Sequence, residues 1–298
     1  MRILIGIDGS EQAQRALRWG LREAALHAAD VSIVHVFPVP VLRGAGDHRR
    51  SDRERRSAAH ELAANAVARA GALDDVTIDI DVIPGINGAI AGVLLDRARD
   101  SDLVVVGSRG RGGFSGLLLG SVSQQVSAHA PVPVAVIPTD RDADGPSDAV
   151  REIVVGVDGS RHAVAALRWA VREAQVRKCP LTALYVYPPP AATLTSDVIA
   201  GLEQAVVESF YAHSYKVAQD VVDELIAREY PGAATTIKTR VAEGSAGHML
   251  VDEAADPETM LVVGSRGRGG FAGLLLGSVS QQCLHHARGP VVVVHHPT

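Results

Sequence analysis

Short apolar runs rich in Val and Ile alternate along the chain with longer stretches whose apolar residues recur at helical spacing. The alternation is that of βαβ units around a mostly parallel sheet. The first half predicts five strands, RILIGID (2–8), VSIVHV (31–36), TIDIDVI (77–83), LVVVG (103–107) and VPVAVI (132–137). Helices are predicted near 11–28, 52–70, 88–99 and 121–129. The second half predicts EIVVGVD (152–158), LTALYVY (181–187), TTIKTRV (235–241), MLVVG (260–264) and PVVVV (290–294). Several of these runs are apolar throughout, as strands covered on both faces must be.

The halves are copies. ILIGIDGSEQAQRALRWGLREA (Ile3 to Ala24) returns as IVVGVDGSRHAVAALRWAVREA (Ile153 to Ala174), offset by 150 residues with about half the positions identical. GSRGRGGFSGLLLGS (Gly107 to Ser121) returns as GSRGRGGFAGLLLGS (Gly264 to Ser278), offset by 157. The second copy therefore holds extra residues, placed in segment 195–229. A period this long means paired whole domains and excludes a solenoid of small units. TDRDADGPSDAVR (Thr139 to Arg151) is polar and carries Gly and Pro, so it reads as the linker. Domains of 1–140 and 151–298 follow.

Both copies end a buried strand in glycine and continue as Gly107-x2-Gly110-x9-Gly120-Ser121 and Gly264-x2-Gly267-x9-Gly277-Ser278. Glycines leave backbone amides free to face a ligand, and a helix start adds unpaired N–H groups and a positive dipole end. Such a loop can cradle a polyphosphate. A Walker loop would need lysine before Ser121 or Ser278, and there is none. A dinucleotide fingerprint would follow the first strand, whereas these glycines follow the fourth. Ser121 with Gln124, and Ser278 with Gln281, also fit a capping box. A capping serine can still donate to phosphate, so the two roles coexist.

Asp8 and Asp158, in IDGS and VDGS, close the first strand of each copy. Ligands of open α/β sheets lie beyond the carboxyl ends of the strands, which suits both acids. A helix cap or turn residue is the other reading of this position. A phosphoaspartate role is disfavoured, because the haloacid dehalogenase pattern wants a second acid where Ser10 and Ser160 stand.

Composition narrows the field. A net charge of -5 over 298 residues makes nucleic acid a poor default partner, and no apolar run approaches a membrane span. A strand starting almost at Met1 leads us to expect no signal peptide, and the two cysteines, Cys179 and Cys283, make no disulfide framework. A cytoplasmic protein is expected. Arg109, Arg111, Arg266 and Arg268 could reach phosphates or the partner domain, or simply be solvated. The run Arg43 to Arg56 interleaves Asp47, Asp52 and Glu54 and reads as a solvated helix start. The pairs His285-His286 and His295-His296 lack metal-ligand spacing. Tyr211 and Tyr215 are read as packing residues on a helix. No catalytic pair is visible at the cradle, so binding without fast turnover is expected. The alternative is an enzyme using Asp8 and Asp158 as metal ligands or acceptors, a slow hydrolase or phosphotransferase whose substrate, an adenine nucleotide, is implied by the family resemblance that follows.

Strand-Asp-Gly-Ser, a second strand ending in His-Val, and Gly-x2-Gly-x9-Gly-Ser before the last helix resemble the universal stress protein family in its tandem-domain, ATP-binding form. The resemblance implies two Rossmann-like α/β/α sandwiches of the adenine nucleotide α-hydrolase-like type, each with a parallel five-stranded sheet of order 3-2-1-4-5. It implies ATP as cofactor, with Mg2+ as its optional companion, and a stress-response regulator as the function. Asp8 and Asp158 would then meet the ribose, and main-chain groups of Val36 and Val186 the adenine edge. Gly107, Gly110, Gly120, Ser121 and Val122 would hold the phosphates in the first copy. Gly264, Gly267, Gly277, Ser278 and Val279 would do so in the second. Tyr185 stands where the first copy has His35, so the second adenine pocket is expected to differ in detail. The resemblance also implies that fifth strands pair across a dimer interface, which a tandem chain can satisfy internally. A homodimer and an unidentified regulatory partner complete the expectation.

Overall fold

The computed structural model describes residues 1–38, 48–71, 76–85, 90–110, 119–138, 149–188, 204–230, 237–268 and 275–296. The linker residues 139–148, part of each glycine-rich stretch (111–118 and 269–274) and 195–203 of the longer segment lie outside them, as does Arg111. Two compact units emerge, one of Met1–Asp148 with Pro290–Pro297, the other of Ala149–Gly289.

The first unit runs β1 (Arg2–Ile7), α1 (Glu11–His27), β2 (Asp30–Pro38), α2 (His48–Ala70), β3 (Ile78–Gly85), α3 (Ile90–Ala98), β4 (Leu103–Gly107), α4 (Ser121–His129) and β5 (Val134–Ile137). The second runs β6 (Glu152–Gly156), α5 (Arg161–Arg177), β7 (Leu181–Tyr187), α6 (Gln204–Glu229), β8 (Ile237–Glu243), α7 (Ala246–Glu253), β9 (Thr259–Gly264) and α8 (Ser278–His286). The last strand, β10 (Val291–Val294), belongs with the first unit, where it pairs antiparallel with β5 through Val291↔Val136 and Val293↔Val134. The first unit follows the order 3-2-1-4-5, and in the second unit β8, β7, β6 and β9 take the places 3-2-1-4. The neighbouring strands β1, β2, β3, β4 and β5 are mutually parallel, as are β9, β6, β7 and β8.

Sequence character follows position in the sheet. Strands β4, β5 and β10 bury every residue, and all are Val, Ile, Leu, Ala or a terminal Gly. By contrast β3 and β8 stand outermost in their repeats and alternate in exposure, matching the interleaved Asp79 and Asp81 or Lys238 and Arg240. Boundaries shift for local reasons. Helix α1 stops at His27 because Ala28 turns left-handed (φ 47) and donates back to Ala24 and Ala25. Helix α2 begins at His48, so the basic run to Arg56 enters the helix earlier than the expected residue 52. The fifth strand starts at Val134, after Pro133, whose carbonyl accepts from Val104 N–H at 3.0 Å. No described helix is long and apolar enough to cross a membrane.

Candidate functional site

The Asp-Gly-Ser segment forms a tight turn at the end of the first strand of each repeat. Gly9 and Gly159 both take φ 77, a conformation that excludes most side chains. Asp8 Oδ1 accepts from Ser10 N–H at 2.9 Å and Ser10 Oγ at 2.6 Å. Ser10, not Asp8, caps α1, its Oγ accepting from Ala13 N–H at 3.1 Å. Ser160 caps α5 in the same way, and Asp158 Oδ1 accepts from Ser160 N–H at 2.8 Å. Of the two structural readings of this acid, the cap is therefore wrong and the turn is right. The turn holds each carboxylate with its second oxygen toward the loop after the fourth strand. In the second repeat that oxygen, Asp158 Oδ2, accepts from Arg268 N–H at 2.9 Å.

The three glycines of each loop have different physical causes. A Cβ on Gly107 would sit 3.1 Å from the Gln12 carbonyl group, and one on Gly264 would sit 2.7 Å from His162 C, so both let the first turn of α1 or α5 lie against the strand end. A Cβ on Gly110 would collide with Asp8 Oδ2, and one on Gly267 would come within 2.7 Å of Asp158 Oδ2. Gly120 and Gly277 differ, because among the described residues a Cβ there would find nothing closer than 3.4 Å and their φ values of -78 and -73 suit any residue. Neither packing nor backbone conformation requires the third glycine.

That third glycine is the helix cap. Gly120 caps α4 and Gly277 caps α8, neither with a side-chain bond, and Ser121 and Ser278 are the first helical residues, both exposed. The capping-box expectation is thus corrected: a serine one position inside the helix cannot reach the N3 amide as a cap does. The serines that bind locally are two residues on. Ser123 Oγ donates to Gly107 O and Ser280 Oγ to Gly264 O, each at 2.6 Å, tying the helix start to the strand end. The SVSQQ repeated after both loops was the signal for them. Val122 and Val279 follow the exposed serines and are half-buried.

The backbone of the second strand reaches past its neighbour. Pairing of β1 with β2 ends at Ile7↔His35, and β6 with β7 at Gly156↔Leu184. Leu184 O accepts from Val157 N–H at 3.0 Å on the β6 side, while Tyr187 O accepts from Gly244 N–H at 2.9 Å on the β8 side. Backbone groups alternate sides along a strand, so Val186 turns its N–H and C=O to the β6 side, beyond that strand's end. Val36 holds the equivalent place in β2. Beside it His35 is buried, and its Nδ1 lies 2.9 Å from Ile7 O. A carbonyl only accepts, so Nδ1 carries the proton. Tyr185 stands at this position in the second repeat.

In the second repeat these parts surround one cavity of about 460 Å³. Asp158, Val186, Gly264, Gly267, Gly277, Ser278 and Val279 all line it. One end is apolar, walled by Leu184, Val186 and Leu250. The other carries the glycine loop, the start of α8, Arg266 and Arg268, with Asp158 as the one acid among the described lining residues. The apolar end could not have been found from motifs, because Leu184 and Leu250 read only as core residues. In the first repeat the structure brings Asp8 against Gly110 and ties Gly107 to the start of α4, with Gly120 N–H donating to Ser108 O at 2.7 Å.

Comparison with known proteins matches this arrangement to one family. The model of the universal stress protein family fits twice, over residues 1–138 and 149–295. Universal stress protein Rv2623 of Mycobacterium tuberculosis (strain H37Rv) is 34% identical over 310 residues, covering 98% of this chain and 95% of that protein. A universal stress protein of Mycolicibacterium smegmatis is 32% identical over 304 residues, covering 98% and 96%. Among solved structures, a universal stress protein from Archaeoglobus fulgidus DSM 4304 aligns over 99% of this chain and 96% of its own, with a TM-score of 0.65 and 20% identity, and so supports the fold. Sequence motif, strand order and the comparisons agree, and the chain belongs to the universal stress protein family, with two such domains in tandem.

Proposed function

We propose that this chain is an ATP-binding stress-response regulator with one nucleotide site in each of two domains, 1–140 and 151–298, and little or no turnover. The observation that carries the reading is the lining of the second-repeat cavity, which joins the apolar side chains of Leu184, Val186 and Leu250, the Asp158 carboxylate, and the glycine loop with the start of α8. A nucleoside triphosphate has the same three parts. Its base suits the wall of Leu184, Val186 and Leu250, with the main-chain N–H and C=O of Val186 facing the base edge from the β6 side. Its ribose hydroxyls are donors for Asp158. Its phosphates suit the loop amides and the start of α8, where peptide dipoles supply positive potential in a protein of net charge -5.

The cap glycines add support. Gly ranks below Asn, Asp and Ser as a helix cap, and neither space nor φ requires it at Gly120 or Gly277, so an approaching ligand is the remaining reason for a bare backbone there. A cytoplasmic place and a homodimeric assembly belong to the same reading, drawn from the family resemblance. Calorimetric titration of the full-length chain with ATP tests it. Saturable binding is expected, and no binding at millimolar ATP would remove the proposal.

A further inference from the structure

Two guanidinium groups stand at the amide-rich end of the second-repeat cavity, against one carboxylate. Arg266 and Arg268 are exposed at the rim, and among the described residues no carboxylate pairs with either side chain. The two are not equivalent. Arg268 is fixed at its backbone, where its N–H donates to Asp158 Oδ2 at 2.9 Å. Its guanidinium folds back over the Asp-Gly-Ser turn, so that a Cβ on Gly159 would lie 3.2 Å from Arg268 Cζ and 3.5 Å from its Nε. Gly159 is glycine for its φ of 77. Its bare Cα leaves room for the arginine against the turn, on the wall of the cavity. Arg266 contributes its carbonyl, which accepts from Ser160 Oγ at 3.4 Å.

We propose that Arg268 is the specificity-determining residue of the second site, selecting nucleotides by the charge of their phosphate tail. This rests on the nucleotide-binding reading above and adds to it the side chain that discriminates. The loop amides and the helix start are dipoles; they accept any anion that fits. Arg268 contributes a full charge with five donors in a planar fork, which gains with every added phosphate oxygen in reach. Its own amide sits on the carboxylate that would hold the ribose, so the group that reads the tail is joined to the group that reads the sugar. Triphosphate is therefore favoured over monophosphate, and monophosphate over nucleoside, by the side chain. The base and ribose contacts are indifferent to it.

Hydrogen–deuterium exchange across residues 276–286 reads the second site separately from the first, and the full-length chain is titrated with ATP and, separately, with adenosine. In Arg268→Gln, which keeps the backbone N–H and removes the charge, the ATP midpoint should rise on the order of tenfold while the adenosine midpoint stays put. Arg268→Lys should recover part of the loss. Equal shifts for ATP and adenosine would reduce Arg268 to a structural prop, and unshifted midpoints for both would leave it a solvated side chain; either overturns the inference. If the unsubstituted chain gains no protection anywhere with ATP, the nucleotide reading itself fails, and the inference with it.

Discussion

Replacing Gly264 by alanine should destabilise the second unit whether or not any ligand binds there. The new Cβ would stand 2.7 Å from His162 C, 2.9 Å from Ala163 N and 2.9 Å from His162 Cβ. Non-bonded carbons prefer roughly 3.5–4.0 Å, so the start of α5 would have to retreat by about 1 Å. Two of the three atoms are backbone and cannot swing aside. Overpacking of this kind costs about 1–3 kcal/mol, or roughly 4–8 °C in Tm for a 2 kcal/mol loss in a chain of this size class. Gly277→Ala is the control from the same loop. Among the described residues its Cβ meets nothing closer than 3.4 Å at a φ of -73, leaving only the difference between Gly and Ala as caps, under about 1 kcal/mol. Thermal unfolding followed by circular dichroism, without nucleotide, compares the two variants with the native chain. A Gly264→Ala protein that melts with the native chain, or a Gly277→Ala protein that melts far below it, would refute the division of labour among the loop glycines.

Two further outcomes follow from single contacts. Ser280→Ala removes the bond of 2.6 Å to Gly264 O from a nearly fully buried site and should cost about 1–3 kcal/mol in denaturant unfolding; an unchanged midpoint would mean the helix start is held otherwise. Burial alone would raise the Glu229 carboxyl, but hydrogen bonds from Arg168 and Arg228 outweigh it and hold the carboxyl below its usual range. A depressed carboxyl stabilises the fold above its unfolded value and loses that contribution as pH falls through the folded one. The stability gap between the native chain and Glu229→Gln should therefore be full near neutrality and close in acid, and a gap that widens in acid would contradict the assignment.

Much of the fold was legible because strand burial leaves a direct mark on sequence. Runs such as LVVVG and PVVVV are apolar throughout only where both faces are covered, and the duplicated Asp-Gly-Ser turn gave the repeat its register. Boundaries were less legible, since α1 ends on the left-handed Ala28, a position no local preference marks. In the site, glycine spacing pointed to the right loops but not to the separate causes. Gly264 answers to His162 and Gly267 to Asp158, residues about 100 positions earlier, and only tertiary structure brings them into contact. The serines misled for a related reason. A Ser-x-x-Gln pattern cannot tell N-cap from first helical residue when glycine precedes it, because glycine can also cap. Leu184 and Leu250 carried no functional signal, since a residue lining an apolar pocket and one filling a core have the same chemistry.

The central claim is that the carboxylate, the second-strand backbone and the glycine loop of each repeat make one nucleotide site. Calorimetric titration with ATP of the native chain, of Asp158→Ala and of Asp8→Ala/Asp158→Ala tests it most directly. The account predicts two ATP bound per native chain, one per Asp158→Ala chain and no saturable binding by the double variant, each chain still folded by circular dichroism. Absence of binding by the native chain, or unaltered affinity and stoichiometry in the folded double variant, would contradict it.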